Sequence, residues 1–348
     1  MPHTSIIVPC YNEEATIGLL LEAIYRQTYP KSQLEVIIVD GQSTDRTRQR
    51  IDEFHETHLE LEIRLVDNPK RMIPSALNIA IQDARGQYII RLDGHSMPYP
   101  DYVERCIAAL ETGQGANVGG IWEIRPGKGN RSKPGVIARS IAAAAAHPLG
   151  VGDAFYRFAD RSGPVDTVPF GAFRRDLVEK IGGFDETLQA NEDYEFNVRV
   201  RKSGGTVWLD PSIRSVYFTR STLGALLRQY WKYGYWKARM LRRYPRTLRW
   251  RQALPPLFVA SLLLLGLASV AFPWARGLLL FELSIYLLAL IVVGLQVAFE
   301  KRDAGLFFGT PVAIAGMHLA WGSGLLWSLI TSIGNVSKQL EEDLKVSR

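Results

Sequence analysis

Cysteine is nearly absent from this chain. Cys10 and Cys106 are the only two, they stand in separate segments, and neither has metal-ligand spacing around it. A disulfide framework is thereby excluded as an organising device, which suits a reducing compartment. Glycine-rich phosphate cradles are missing as well. No Gly-Lys-Ser/Thr ending of a P-loop occurs, and Cys10-Tyr11-Asn12-Glu13-Glu14 follows the first apolar run where a dinucleotide fingerprint would open a helix. Met1-Pro2-His3-Thr4-Ser5 carries no basic leader and no long apolar run, so no secretory signal is expected and the first domain is expected to stay in the cytosol. No zinc or helix-turn-helix pattern accompanies the basic residues, which argues against nucleic acid as a partner.

What is present divides sharply along the chain. With 348 residues, 47% hydrophobic and 22% charged, there is material for one large domain and a further region. Up to about Arg251 the pattern is that of a soluble α/β protein; beyond it, apolar stretches at 257–272, 278–299 and 306–333 dominate. The second and third are long enough to cross ~30 Å of hydrocarbon, and the first needs its flanks to do so. Much of the net charge of +6 sits between Lys232 and Arg251, interleaved with Tyr and Trp. A basic aromatic segment ahead of apolar spans reads as one lying on an anionic membrane surface. The positive-inside rule puts it, and the basic linker 300–303, on the cytosolic side, with the C-terminal tail outside. Gly316, Ala320 and Gly324 form a small-residue stripe suited to close helix packing. Glu282 and His318, inside the spans, are expected to face neighbouring helices or an interface.

The soluble part alternates strands (5–9, 35–40, 62–66, 88–93) with amphipathic helices (13–27, 45–58, 73–84). That succession predicts a parallel sheet with helices on both faces. Ligands of such sheets bind beyond the carboxyl ends of the strands, where Tyr11, Asn12, Asp40, Asp67, Asp93 and His95 all fall. A further strand near 118–124 leads into a glycine-rich basic loop, 125–133, expected to be mobile.

Three acidic positions carry chemistry. Leu92-Asp93-Gly94-His95 places a carboxylate and an imidazole two residues apart, able to hold one divalent metal, although Asp-Gly is also a common turn pair. Without a glycine cradle, a diphosphate would be neutralised by such a metal. Two protein ligands leave positions for diphosphate oxygens and water, with Mn²⁺ slightly favoured over Mg²⁺ by the imidazole. Asp40 ends a strand and could accept from a base N–H, while Asp45 is accounted for as a helix cap. Asn191-Glu192-Asp193 precedes a helix predicted over 194–202. Carboxylates are stabilised there by the helix dipole, and one of them can also accept a hydroxyl proton.

In combination these segments resemble the inverting glycosyltransferases of family 2. The match lies in Ser5-Ile6-Ile7-Val8-Pro9-Cys10-Tyr11-Asn12-Glu13-Glu14, Ile38-Val39-Asp40-Gly41-Gln42-Ser43-Thr44-Asp45, Leu92-Asp93-Gly94-His95 and Gly182-Gly183-Phe184-Asp185 with Asn191-Glu192-Asp193. Pro74-Ser75-Ala76-Leu77-Asn78 and Gly150-Val151-Gly152-Asp153-Ala154-Phe155-Tyr156-Arg157 point to membrane-anchored exopolysaccharide enzymes of the succinoglycan type. The resemblance implies an α/β GT-A fold, Rossmann-like with a mostly parallel sheet, followed by C-terminal transmembrane helices. It implies a catalytic domain at 1–220, a basic interfacial region at 221–252, about three membrane helices at 253–335 and a polar tail at 336–348.

Roles follow from the same likeness. Pro9, Tyr11, Glu13 and Asp40, with Arg71, would line a uridine pocket; Asp93, with His95, would bind a divalent metal, Mg²⁺ or Mn²⁺, on the diphosphate. Asp193 would be the general base and Glu192 would contact the acceptor. His95 stands where the family commonly has Asp. Gln229-Tyr230-Trp231-Lys232-Tyr233 replaces Gln-x-x-Arg-Trp, so Lys232 offers charge to the diphosphate without a bidentate fork, and a processive polymerase is disfavoured. The implied activity is inverting transfer of a sugar, glucose as first expectation, from a UDP-sugar to a lipid-linked oligosaccharide. The setting would be a multi-pass protein of the inner (plasma) membrane with a cytosolic catalytic domain. Two alternatives are a polyprenyl-phosphate glycosyltransferase and a non-catalytic membrane scaffold that binds nucleotide sugar.

Overall fold

The computed structural model describes residues 2–127, 133–152 and 154–346, with side chains as far as 332. Most of the glycine-rich basic loop, 128–132, and Asp153 of the 150–157 motif lie outside the described residues. In chain order the strands are β1 Thr4–Cys10, β2 Leu34–Asp40, β3 Glu62–Asp67, β4 Tyr88–Arg91, β5 Ser96–Pro98, β6 Asn117–Arg125, β7 Gly163–Pro164, β8 Ala172–Arg174 and β9 Val207–Phe218. The helices are α1 Ile17–Tyr25, α2 Thr47–Thr57, α3 Ile73–Asp83, α4 Tyr102–Glu111, α5 Val136–Ala146, α6 Pro148–Val151, α7 Arg175–Ile181, α8 Glu192–Lys202, α9 Leu223–Arg243, α10 Trp250–Ala268, α11 Pro273–Lys301 and α12 Leu306–Val346. They fall into two compact units, Met1–Arg125 with Ala154–Phe218, and Pro126–Asp153 with Thr219–Arg348.

In the first unit, β1 and β2 are buried along their whole length because helices cover both faces of the sheet. Successive residues alternate between two cores: Ile6, Val8, Val36 and Ile38 pack with α1 and α4, while Ile7, Ile37 and Val39 pack with α3 and α8. The sheet runs β3-β2-β1-β4-β8-β6-β9-β5, with β7 paired to β9. Its first four strands are parallel, β8 is antiparallel to β4 and β6, and β9 is parallel to β6, so the expected parallel sheet continues as a mixed one. The strand order reverses between β1 and β4, and in sheets of this kind ligands bind beyond the carboxyl ends at such a point.

Element boundaries differ from the sequence pattern for identifiable reasons. The helix expected from 13 starts at Ile17, because the backbone amides of Asn12, Glu13 and Glu14 are held by Ser43 Oγ, Thr47 Oγ1 and Asp45 Oδ2. β4 stops at Arg91, and Asp93 opens a turn whose carbonyl accepts from Ser96 N. Glu192 and Asp193 belong to the first turn of α8 rather than preceding it; Asn191 enters the helix with a φ of 64°, a conformation asparagine tolerates.

The second unit holds three helices long and apolar enough to cross a membrane: Trp250–Ala268, Pro273–Lys301 and Leu306–Ser332. Pro273 opens α11 at its first position, where a missing N–H costs nothing. The small-residue stripe of α12 packs against α9. A Cβ on Gly324 would lie 2.2 Å from Trp231 O, so only glycine allows this approach. His318 meets Tyr286 OH at 2.9 Å and Leu149 O at 2.9 Å, and Glu282 accepts from Ser261; both face neighbouring helices.

Candidate active site

The tips of β1, β2 and β3 lie side by side at the carboxyl end of the sheet. Pro9 is buried and Tyr11 is 49% exposed, leaving its ring open for stacking. Asn12 Oδ1 accepts from Thr44 N at 2.8 Å, and Gly41 N donates to Cys10 O at 2.8 Å, so the two loops are laced together. Asp40 is buried and already engaged: Ser43 donates through N and Oγ, and Arg48 Nη1 lies 3.0 Å away while also reaching Asp67 at 2.6 Å. Arg71 is exposed and donates twice to Gln42 Oε1, at 3.0 and 2.7 Å. Gln42 was not singled out from the sequence.

Glu13 connects these loops to the Asp93 turn. Its Oε1 lies 2.9 Å from His95 Nδ1, and Gly94 is what permits this, since a Cβ there would sit 2.9 Å from Glu13 Cγ. Asp93, half-buried, accepts from Arg91 Nε at 3.1 Å. The same guanidinium donates through Nη2 to Glu192 Oε1 at 3.0 Å. Arg91 is thus a buried bridge from the Asp93 turn to the start of α8, and the sequence reading missed it. Its signal was present: an arginine within the apolar run Tyr88-Ile89-Ile90-Arg91-Leu92 has to find carboxylates. Burial pulls Arg91 toward deprotonation, but the charges of Asp93, Glu192 and Asp193 outweigh it and hold the guanidinium more firmly protonated than usual.

α8 is aimed by two clamps. Asn78 donates Nδ2 to Phe184 O at 2.9 Å and accepts from Phe184 N at 2.7 Å, so the segments 74–78 and 182–185, far apart in sequence, meet directly. Arg199 donates to the carbonyls of Ile181, Gly182 and Gly183 while pairing with Glu195. Asp193 emerges half-buried, its Oδ1 accepting from Tyr194 N at 2.7 Å. Its pKa is pushed up to about 6 by burial and then by the charge of Glu192, with Arg91 opposing. A carboxylate so poised is ionised at neutral pH and is a stronger base than an exposed aspartate. Nearby, Trp122 stacks on Tyr217 at 4.2 Å, Arg157 covers both rings, and His95 lies 6.1 Å from Tyr217, so residues of the 150–157 motif join the same wall. Among the described residues no three carboxylates, imidazoles or thiols group as a metal cage. Asp93 and His95, the two residues expected to hold a metal, bond to Arg91 and to Glu13 respectively. Lys232 is exposed on α9 of the second unit.

Comparison with known proteins fits this geometry. The model of glycosyl transferase family 2 matches residues 5–182. The chain belongs to that family. A Methanococcus voltae relative, dolichyl N-acetyl-alpha-D-glucosaminyl phosphate 3-beta-D-2,3-diacetamido-2,3-dideoxy-beta-D-glucuronosyltransferase, is 29% identical over 336 residues, covering 95% of this chain and 98% of that one. The succinoglycan biosynthesis protein ExoA of Rhizobium meliloti (strain 1021) is 28% identical over 330 residues, covering 93% and 94%. Among solved structures, mannosyltransferase PcManGT from Pyrobaculum calidifontis, in complex with GDP-Man and Mn²⁺, is similar with a TM-score of 0.59 at 21% identity, over 92% of this chain and 87% of that one. That likeness concerns the fold, which is GT-A. The family 2 enzyme described here therefore carries a GT-A sheet together with three C-terminal helices of membrane-spanning length.

Proposed function

We propose that this enzyme transfers a sugar from a nucleotide-diphosphate donor to a lipid-linked saccharide in polysaccharide biosynthesis, inverting the anomeric configuration. The observation that carries the reading is the Arg91 bridge, which holds Asp93 and the Glu192–Asp193 turn at one place, with Asp193 poised near pH 6. In this reading Asp193 takes the proton from an acceptor hydroxyl as that oxygen attacks the anomeric carbon from the face opposite the departing nucleoside diphosphate. Glu192, braced by Arg91, contacts the acceptor. One displacement turns an α-linked donor into a β-linkage. Pro9, Tyr11, Asp40 and Arg71 hold the nucleotide, UDP by resemblance, with Tyr11 stacking on the base and Asp40 sharing its oxygens with Ser43 and Arg48.

Asp93 and His95 fit a divalent cation, Mg²⁺ or Mn²⁺: a carboxylate that gives one oxygen to Arg91 and keeps the other, with an imidazole two residues on. When bound, such an ion supplies Lewis-acid stabilisation of the leaving diphosphate. Glu13, beside His95, orients that imidazole. Lys232 is assigned a charge-supplying role on resemblance alone. The lipid-linked acceptor is supported by the name of the Methanococcus voltae relative and by the apolar helices, which would anchor a cytosolic catalytic domain at the inner membrane. A polyprenyl-phosphate acceptor would need no base, so the raised, half-buried Asp193 favours a hydroxyl acceptor.

The test is to incubate membranes with labelled nucleotide sugars, UDP-glucose first, with and without Mn²⁺, and extract lipid. Metal-dependent label in a lipid-linked saccharide, absent in Asp193→Asn, is the expected result. Transfer that survives Asp193→Asn, or label found only on a polyprenyl phosphate, would overturn the reading.

A further inference from the structure

Behind Asp193 lies a small pocket of about 10 Å³ whose polar lining is Arg91, Asn117, Asn197 and Asp193, with phenylalanines around them. Two of these side chains bring buried atoms without a hydrogen-bond partner in the protein, Arg91 Nη1 and Asn117 Oδ1. The other nitrogens of both groups each make a bond. Arg91 uses Nε on Asp93 and Nη2 on Glu192. Asn117 donates Nδ2 to Asn197 Oδ1 at 2.7 Å, and Asn197 donates its own Nδ2 to Thr167 Oγ1 at 3.0 Å. In this arrangement Asn117 Oδ1 is left toward the pocket, and a flip of Asn117 alone would set its oxygen against that of Asn197. One buried donor and one buried acceptor therefore border a space of roughly one water's size, with a carboxylate at its edge. Such atoms are costly to leave unmade, and a polar pocket with two to four partners is where an internal water resides.

We propose that this pocket holds one buried water, accepting from Arg91 Nη1 and donating to Asn117 Oδ1 and to the Asp193 carboxylate, and that Asn117 is thereby a positioning residue for the base. The inference rests on the assignment of Asp193 as that base. Tyr194 N–H pins one carboxylate oxygen. A second hydrogen bond from the opposite side fixes the plane of the group, so the oxygen facing the acceptor keeps its direction through the reaction. Nucleotide binding, at the tips of β1 to β3, does not use this pocket.

A crystal structure of the full chain, at a resolution that shows ordered water, tests the site itself. Density within hydrogen-bond distance of Arg91 Nη1 and Asn117 Oδ1 supports it; an empty pocket, or an Asn117 amide closed onto Arg91, overturns it. Kinetics test the role. Asn117→Leu keeps the branched shape, replaces both polar atoms with bulkier methyl groups that displace the water, and is expected to lower kcat roughly 10- to 100-fold with donor KM unchanged, the cost of a misaligned base. Asn117→Ser, which restores a hydroxyl, is expected to recover part of the loss. Unchanged kcat in folded Asn117→Leu overturns the role, as does a loss confined to folded yield. Should Asn117→Leu not fold, Asn117→Ser and the water density decide. Asp193→Asn, run in parallel, separates the two claims. If it transfers normally, the base assignment falls; if it is inactive while Asn117→Leu is fully active, only the positioning role of Asn117 falls.

Discussion

The two ends of the parallel strands bury the same kinds of charge and arrange them in opposite balance. At the amino end, Glu35 of β2 is fully buried and accepts from Ser5 Oγ, from the backbone amides of Arg85 and Gly86, and from the guanidinium groups of Arg64 and Arg85. Burial alone would raise its pKa, but these donors outweigh that and hold it below the usual carboxylate range. At the carboxyl end, Asp93, Glu192 and Asp193 share one buried guanidinium, and Asp193 is pushed up to about 6. A surplus of donors locks strands together. A deficit leaves a carboxylate ready to take a proton.

The pH dependence of stability follows from the same contrast with opposite sign. Glu35, depressed when folded, contributes stability that is present above its ordinary value of 4.5 and is lost as pH falls through the depressed value. Asp193, raised when folded, contributes stability that is fully present below its ordinary 3.8 and is lost as pH rises through about 6. The catalytic end is therefore at its least stable in the ionised state that the proposed chemistry requires.

The sharpest way to break this contrast is Asp193→Asn. Turnover should fall about 10²- to 10⁴-fold with donor binding intact, measured by label transfer and by calorimetric titration of UDP-sugar. Chemical denaturation should show stability unchanged or increased, because one crowded charge is gone. Glu35→Ala is the mirror experiment. Leaving Arg64 and Arg85 without their buried partner should cost about 3–5 kcal/mol of stability, read from a urea titration, while kcat per folded molecule stays the same. A catalytic defect in the Glu35 variant would show the two ends to be coupled. Asp93→Asn should weaken activation by Mn²⁺ by roughly 10- to 100-fold, seen in the metal dependence of the rate. The mildest effect is the pH profile. With Asp193 as base, kcat/KM should drop about tenfold per unit below pH 6 and flatten above it, and a profile flat to pH 5 would remove that role.

The alternation of strands and helices was legible because it is written in local periodicity, and so were the strand tips where the candidate residues gather. Asp40, Asp93 and Asp193 could be found for the same reason: turns, caps and helix starts have local chemistry. Arg91 was passed over because its meaning depends on Glu192, 101 positions away, coming within 3.0 Å. The contact of Glu13 with His95 likewise exists only through the packing of β1 beside β4. Asn78 gave no hint that it holds Phe184. In the membrane-length helices, hydropathy located the spans, and Pro273 stands where the second of them begins.

Residue order alone therefore settled the architecture and the family, and marked the candidate carboxylates, since each rests on patterns a few residues long. Folding decided how differently those carboxylates hold a proton. Burial and the ratio of neighbouring charges set a proton affinity, and both exist only once distant segments are packed against one another.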